Sequence, residues 1–348
     1  MNLNNLIMKK LLLITVFCLS IALNAQQIYT NGPLSTTDLS KSGVLAPTGY
    51  TWSEVQNNTG NTTESNTNGG FSGVFNNALT INNKLADDFV VPAGVTWNVS
   101  SLEFYLYQTG FIGTVPPIDQ LRVQIFSSDP SIAGAASVAG DMTTNVLNVA
   151  NSSDALMYRI FNSTTPTPTA TGTTRKIWKV RGNLTAALPS GTYWVLYQVH
   201  ATNDGGAFFP SVTISGTRGN GTWNAKQQTS TGWARLIDAG NPASAPDFSQ
   251  DVPFNVNGVV SPLATKDFIG SKFLVTPNPA NDFINVSNSE NIKVLNIKIT
   301  DLNGRVVKQN NFDNVSNINL NVSDLSSGVY MMNINTNEGS TVKKIIKN

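Results

Sequence analysis

From Leu85 onward the chain is written in short apolar runs divided by Gly, Pro, Asn and Ser. LADDFVVPAG, SLEFYLYQTG, LRVQIFSSDP, RKIWKVRG, GTYWVLYQVH, PSVTISG, GWARLID and VPFNVNG each predict one strand that ends in turn residues. Several alternate with a period of two. Leu102, Phe104 and Leu106 fall on one strand face, with Glu103, Tyr105 and Tyr107 on the other. Leu121, Val123 and Ile125 likewise oppose Arg122, Gln124 and Phe126. TYWVLYQV is apolar on both faces, with Trp194 and Leu196 against Tyr193, Val195 and Tyr197, and this predicts a central strand. Helical signal is thin: only 141–150 offers a short turn, weakened by β-branched residues and Asn. The expected fold for 85–260 is an all-β, jelly-roll-like antiparallel sandwich.

Polar stretches divide the chain further. Residues 57–70, NNTGNTTESNTNGG, hold no aliphatic or aromatic side chain, so the Asn/Thr/Gly-rich region 26–84 is expected to be partly disordered. A Pro/Thr-rich loop, 163–174, lies within the sandwich. The segment 261–272, SPLATKDFIGSK, reads as a linker. Beyond it, 273–348 alternates again, and DLNG at 301–304 suits a hairpin turn because Gly304 accepts a positive φ. This part predicts a small Ig-like sandwich of about seven strands.

The same segment carries ordered blocks. Pro277, Asn278, Pro279, Ala280 and Asp282 come first, followed by Asp301, Gly304 and Val306. Leu325, Gly328, Val329 and Tyr330 come next, then Lys343, Lys344 and Lys347. Residues 273–348 thereby resemble the C-terminal sorting domain of the type IX secretion system. Thr276 stands where the family carries an aromatic residue. The resemblance implies cargo that enters the periplasm of a Bacteroidota-type cell through the Sec translocon. It then crosses the outer membrane through the type IX machinery, whose sortase removes the tail. The cargo region, through ADDFVVPAG, GTYW and DVPF, faintly resembles an uncharacterised β-rich domain of secreted proteins.

The N-terminus fits that route. Lys9 and Lys10 precede an apolar run, 11–23, and Ala25 offers a cleavage point before Gln26. Residues 1–25 therefore read as a signal peptide, with an apolar run too short to span a bilayer. Cys18 follows Phe17 inside that run and reads as a passive hydrophobe rather than a lipidation site. No other apolar stretch is long enough to predict a transmembrane span in the mature chain.

Charge and chemistry narrow the function classes. The 348 residues carry 22 Lys+Arg against 21 Asp+Glu, with no basic run, which argues against nucleic acid. One His and one Cys exclude a His/Cys zinc site and a disulfide scaffold. Of the five Glu, only Glu103 lies within 85–260; Glu54 and Glu64 fall in the polar region before it, and Glu290 and Glu338 in the tail. No G-x-S-x-G elbow occurs, and no motif nominates a glycosidase carboxylate pair. His200, at a strand end, has Asp204 as its nearest carboxylate in sequence and reads as structural.

Two spots remain. Asp87 and Asp88 begin the first clear strand, and Asp247 and Asp251 precede the last. Pairing of those strands would bring Asp88 and Asp251 together as a structural Ca²⁺ site. Trp223 and Trp233 sit in Gly-, Asn- and Thr-rich settings that suit stacking on a sugar, with Tyr105 and Tyr107 as a second platform. The reading is a non-catalytic secreted or cell-surface protein, adhesive or glycan-binding, with no catalytic residue and no cofactor beyond that Ca²⁺. The alternative is a polysaccharide-acting hydrolase or its accessory subunit.

Overall fold

The computed structural model describes residues 26–262, 266–288 and 290–348. The expected signal peptide, Ala25 included, and residues 263–265 of the expected linker lie outside the described residues. The chain divides into two compact units, Met1–Ser261 and Pro262–Asn348, so the boundary falls at the first residues of that linker. No helix among the described residues is long and apolar enough to cross a membrane.

The first unit begins with β1 (Gln26–Thr30), β2 (Thr51–Glu54), β3 (Phe71–Ser72) and β4 (Val74–Phe75). Its centre is formed by β5 (Lys84–Leu106), β6 (Ile118–Phe126), β7 (Ser137–Asp141), β8 (Leu147–Ile160) and β9 (Lys176–Ala201). Then follow β10 (Phe208–Phe209), β11 (Lys226–Thr229), β12 (Gly232–Arg235), β13 (Ile237–Asp238), β14 (Phe248–Ser249) and β15 (Phe254–Pro262). Segments that read as separate strands are here continuous: β5 joins LADDFVV to SLEFYL, and β9 joins RKIWKVRG to TYWVLYQVH.

These two strands pair antiparallel from Leu85↔Tyr197 to Leu106↔Trp178, with a slip in register between Val91 and Thr96. The slip is a corner, where Gly94 takes a φ of 81°. One half of the pair is flanked by β15 and β1 on one side and β8 and β2 on the other. The other half is flanked by β11 and β12, and by β6 and β7. The halves fold face to face, giving a sandwich-like arrangement within one eleven-stranded sheet.

Period-two alternation fills the space between the layers. Leu102, Phe104 and Leu106 are fully buried, and the Phe104 ring lies 4.2 Å from that of Tyr197 in the opposite half. Phe89 stacks parallel to Trp97 at 5.9 Å and meets Phe254 edge-on at 6.1 Å. The second apolar face of β9 is covered too. Trp194 and Leu196 cluster with Ala86 beneath Phe126, Met142 and Trp233.

Residues 57–70 differ from the expected disorder, because hydrogen bonds replace apolar burial. Ser65 bridges Asn241, and Asn66 Nδ2 donates to the Arg218 carbonyl at 2.8 Å. The Thr67 and Asn68 amides donate to the buried Asp238 carboxylate at 2.9 and 2.7 Å. Nor does 141–150 form a helix: the Asp141 carboxylate accepts the Thr143 and Thr144 amides and turns the chain into β8.

The second unit starts with a short helix, α1 (Lys266–Lys272), within the expected linker. It continues with β16 (Phe273–Thr276), β17 (Phe283–Asn288), β18 (Val294–Thr300), β19 (Val306–Val315), β20 (Asn317–Asn321), β21 (Gly328–Thr336) and β22 (Gly339–Lys347). Sheet β16-β17-β20 and sheet β19-β18-β21-β22 share one core, with Ile284, Val286 and Leu320 from the first and Ile297, Ile299, Met332 and Ile345 from the second.

Close approach of β15 to β5 yields a test. A Cβ on Gly258 would meet the Asn98 carbonyl oxygen at 2.2 Å. Gly258→Ala is expected to cost about 1–3 kcal/mol as an overpacked backbone contact. Gly221→Ala, with nothing within 4 Å, should be close to neutral. Equal melting temperatures for the two variants would contradict this packing.

Candidate functional sites

The terminal strands do bring carboxylates together. Asp87 is fully buried, and its Oδ2 accepts Asn31 Nδ2 at 2.7 Å and the Val252 amide at 2.9 Å. Asp251 Oδ1 accepts the Asn224 and Ala225 amides at 2.7 and 3.2 Å. Burial, then the neighbouring Asp251 charge, holds the Asp87 carboxyl well above its ordinary range. Burial also pushes Asp251 up to about 6, with the Asp88 charge adding to it, and Asp88 itself is raised by burial. Backbone N–H groups thus supply the compensation at this cluster. Among the described residues, no group of three or more His, Cys, Asp or Glu is arranged to hold a metal ion.

The aromatic candidates are placed differently from their sequence settings. Trp223 is only 8% exposed, because its amide closes a turn onto the Asn220 carbonyl and the ring folds inward. Trp233 is half-buried against the Trp194 cluster. Tyr105 is half-buried, and its hydroxyl accepts Asn255 Nδ2 at 3.0 Å. Tyr107 is 4% exposed and stacks on Phe208 with ring centroids 5.8 Å apart. Gly-rich surroundings marked tight turns here rather than exposed rings.

Phe208, which the sequence pattern did not single out, carries the open ring. It is 37% exposed, while its neighbour Phe209 is buried in the core, as alternate strand positions require. The ring stands between two adjoining clefts and lines both. The larger, about 640 Å³, runs past Ile81, Asn83, Lys84, Gln228 and Ser230. The smaller, about 520 Å³, is bounded by Gln108, Phe111 and Asn203. Gln108 Nε2 donates to Asn203 Oδ1 and to the Gly206 carbonyl at 3.0 and 3.1 Å, which fixes one wall. In GGAFFP the two Phe are adjacent, and nothing in the sequence tells which of them faces outward.

His200 is buried between two carboxylates. Nδ1 lies 2.6 Å from Asp119 Oδ1 and Nε2 lies 3.0 Å from Asp204 Oδ1, and the ring faces Phe75. Both ring nitrogens are engaged by carboxylates, which hold the ring in place against Phe75. Glu103 is bound by Arg181 and by Asn255 Nδ2, a structural pairing inside the strand layer.

In the second unit the motif residues hold backbone. Asn278 clips the last strand: its Nδ2 donates to the Lys344 carbonyl at 2.9 Å and its Oδ1 accepts the Ile346 amide at 2.8 Å. The Ala280 amide donates to the Ile346 carbonyl, and the Asp282 carbonyl accepts the Val322 amide. Asp301 Oδ1 accepts the Asn303 and Arg305 amides around Gly304, whose φ is 81°. Gly328 opens β21 opposite Lys347, and the Tyr330 hydroxyl donates to the Ser326 carbonyl at 2.8 Å. Pro277 and Pro279 flank the Asn278 clip, and β22 carries Lys343 half-buried and Lys344 exposed.

Residues 274–348 match the family model of the secretion system C-terminal sorting domain. The segment is thus similar to the type IX sorting tail. Its presence indicates export to the cell surface or extracellular space by the type IX machinery. No curated protein matches the chain. Among solved structures, the adhesin domain of Epf from Streptococcus pyogenes aligns at 8% identity over 75% of this chain and 71% of that one, with a TM-score of 0.18. The BSP domain of a biofilm associated protein aligns at 9% identity, over 84% and 50%, at 0.20. A group B streptococcus pilus 2b backbone protein aligns at 8%, over 81% and 88%, at 0.16. Superpositions this loose carry no argument about the chain.

The raised carboxyls set a pH dependence. A carboxyl whose folded pKa is raised contributes stability that is full below its unfolded value near 3.8 and is lost as pH climbs through about 6. Asp251→Asn keeps the amide-accepting oxygen and removes the charge. The variant is expected to gain melting temperature relative to the parent between pH 4 and 7.5. A difference that stays constant across that range would contradict the assignment.

Proposed function

We infer that the first unit is a non-catalytic binding module for polyhydroxylated polymers, delivered by the sorting tail as a surface or secreted adhesive protein. The observation that carries this reading is the exposed Phe208 ring between two clefts, the larger of which is rimmed by Asn, Gln, Ser and Thr side chains. An aromatic face stacks on the apolar face of a sugar ring, while amide and hydroxyl neighbours bond its hydroxyls. Tyr107, stacked behind Phe208, holds the platform in place. Residues 1–25 act as the signal peptide for the Sec translocon, and the sortase of the type IX system removes the tail.

The hydrolase reading is the weaker one. Glycoside hydrolysis uses two carboxylates flanking the bond, and neither cleft beside Phe208 is lined by Asp or Glu. A binding site needs only the ring and its polar rim.

Two outcomes test this reading. On an array of neutral, uronate-bearing and sulfated oligosaccharides, the purified chain should give signals that Phe208→Ala weakens about tenfold or more, the value of one good aromatic stack. Its melting temperature should fall less than that of Phe209→Ala, since Phe208 is part-exposed and Phe209 is buried. Unchanged glycan signals in this variant would overturn the reading. Deleting 273–348 should hold the cargo in the periplasm, followed by cell fractionation, and normal surface delivery would contradict the sorting route.

A further inference from the structure

The larger cleft contains one charged side chain, and its lining offers nothing of opposite sign. Lys84 opens β5, and its ammonium donates to Gln228 Oε1 at 2.9 Å, a neutral amide on the paired strand β11. An ammonium carries three protons to share. Among the described residues, the ion pairs include none to Lys84 and none to Arg122.

Arg122 brings a second positive charge. Its guanidinium lies 3.7 Å over the Phe75 ring, next in sequence to the cleft-lining Val74, and its buried Nε has no hydrogen-bond partner. Burial first, then the Arg122 charge, pulls the Lys84 ammonium below its ordinary range. The carboxylates nearby are occupied elsewhere. Asp141, whose charge reaches Arg122, accepts donors from Thr143 and Thr144. Asp204 accepts the Asn77 amide and faces His200.

Resting on the reading of Phe208 as a sugar platform, we propose that this cleft selects glycans bearing an anionic substituent, a carboxylate or a sulfate ester, which Lys84 receives. Half-buried Lys84 has no ion-pair partner among the described residues, and an arriving anion supplies one. The resulting hydrogen bond is charge-assisted and stronger than one between neutral groups. Lysine is a compact point charge with rotatable donors, so it accepts either anion without demanding a planar fork. A neutral sugar would leave Lys84 on Gln228 and gain only the ring and rim contacts.

The test uses the full chain on the same array, read for charge class. The expected result is binding to uronate-bearing or sulfated oligosaccharides at least about tenfold tighter than to their neutral counterparts, in line with a hydrogen bond to a charged group. The excess should shrink with added salt. Lys84→Met should remove the excess and leave the weaker neutral binding, while Lys84→Arg should restore it at an unchanged melting temperature. Equal affinity for neutral and acidic members, or an excess that survives Lys84→Met, overturns the inference and leaves the Phe208 reading intact. No binding to any member overturns both. The preference for uronates over sulfates, or the reverse, identifies which anion is received.

Discussion

Everything in the first unit hangs on the pairing of two long strands that bend at the same place. β5 and β9 stay paired along nearly their full length, with register shifts at Val91/Thr96 and Val99/Ser101, so both layers of the sandwich take their centre from the same two segments. Burial of Phe89, Phe104, Tyr197 and Phe254 between the halves locks the bend. A fully buried aromatic ring of this kind contributes about 3–5 kcal/mol when compared with alanine. The ends of the pair then place the clefts. Lys84 is the first residue of β5, and the chain leaves β9 at Ala201 directly into Asn203, Gly206 and Phe208. The cleft walls are therefore anchored on the most deeply buried strands of the fold.

A second constraint is the polarity of the chain. Arg159 is buried and donates to the Gly69 carbonyl, Ser53 and Thr213. Arg218 is fully buried, pairs with Glu64 at 3.2 Å, donates to the Pro246 carbonyl and lies over Phe248. Glu54 takes the Ser163 amide and hydroxyl and the Lys41 amide. Buried charges satisfied in this way specify where loops go, since removing one partner leaves the other uncompensated. This accounts for a segment such as 57–70, which has no apolar side chain and yet is packed.

How much of this was legible follows from how local each signal is. Strand alternation at 102–107 and 121–126 and the two-faced 193–197 could be read, because each depends on neighbours in sequence. The sorting tail was legible for a related reason: Asn278, Asp301, Gly304 and Tyr330 each bond backbone, so their identities are tied to the fold. The continuity of β5 and β9 was not, because Pro92 and Gly94 signal a turn whether the chain reverses or rounds a corner. Trp223 was misjudged, and Phe208 passed over, for a non-local reason. Their exposure is decided by what β10 and the preceding loops pack against, and no spacing records that.

On the proposed function, ligand binding is confined to the rim built on the ends of β5 and β9. Hydrogen-exchange mass spectrometry of the full chain, with and without an acidic oligosaccharide mixture, addresses it directly. Added glycan should slow exchange at 79–84, 205–208 and 226–230 while the tail and the Trp223 turn stay unchanged. Protection centred on 220–224 or on the tail, with the Phe208 rim unaffected, would contradict it.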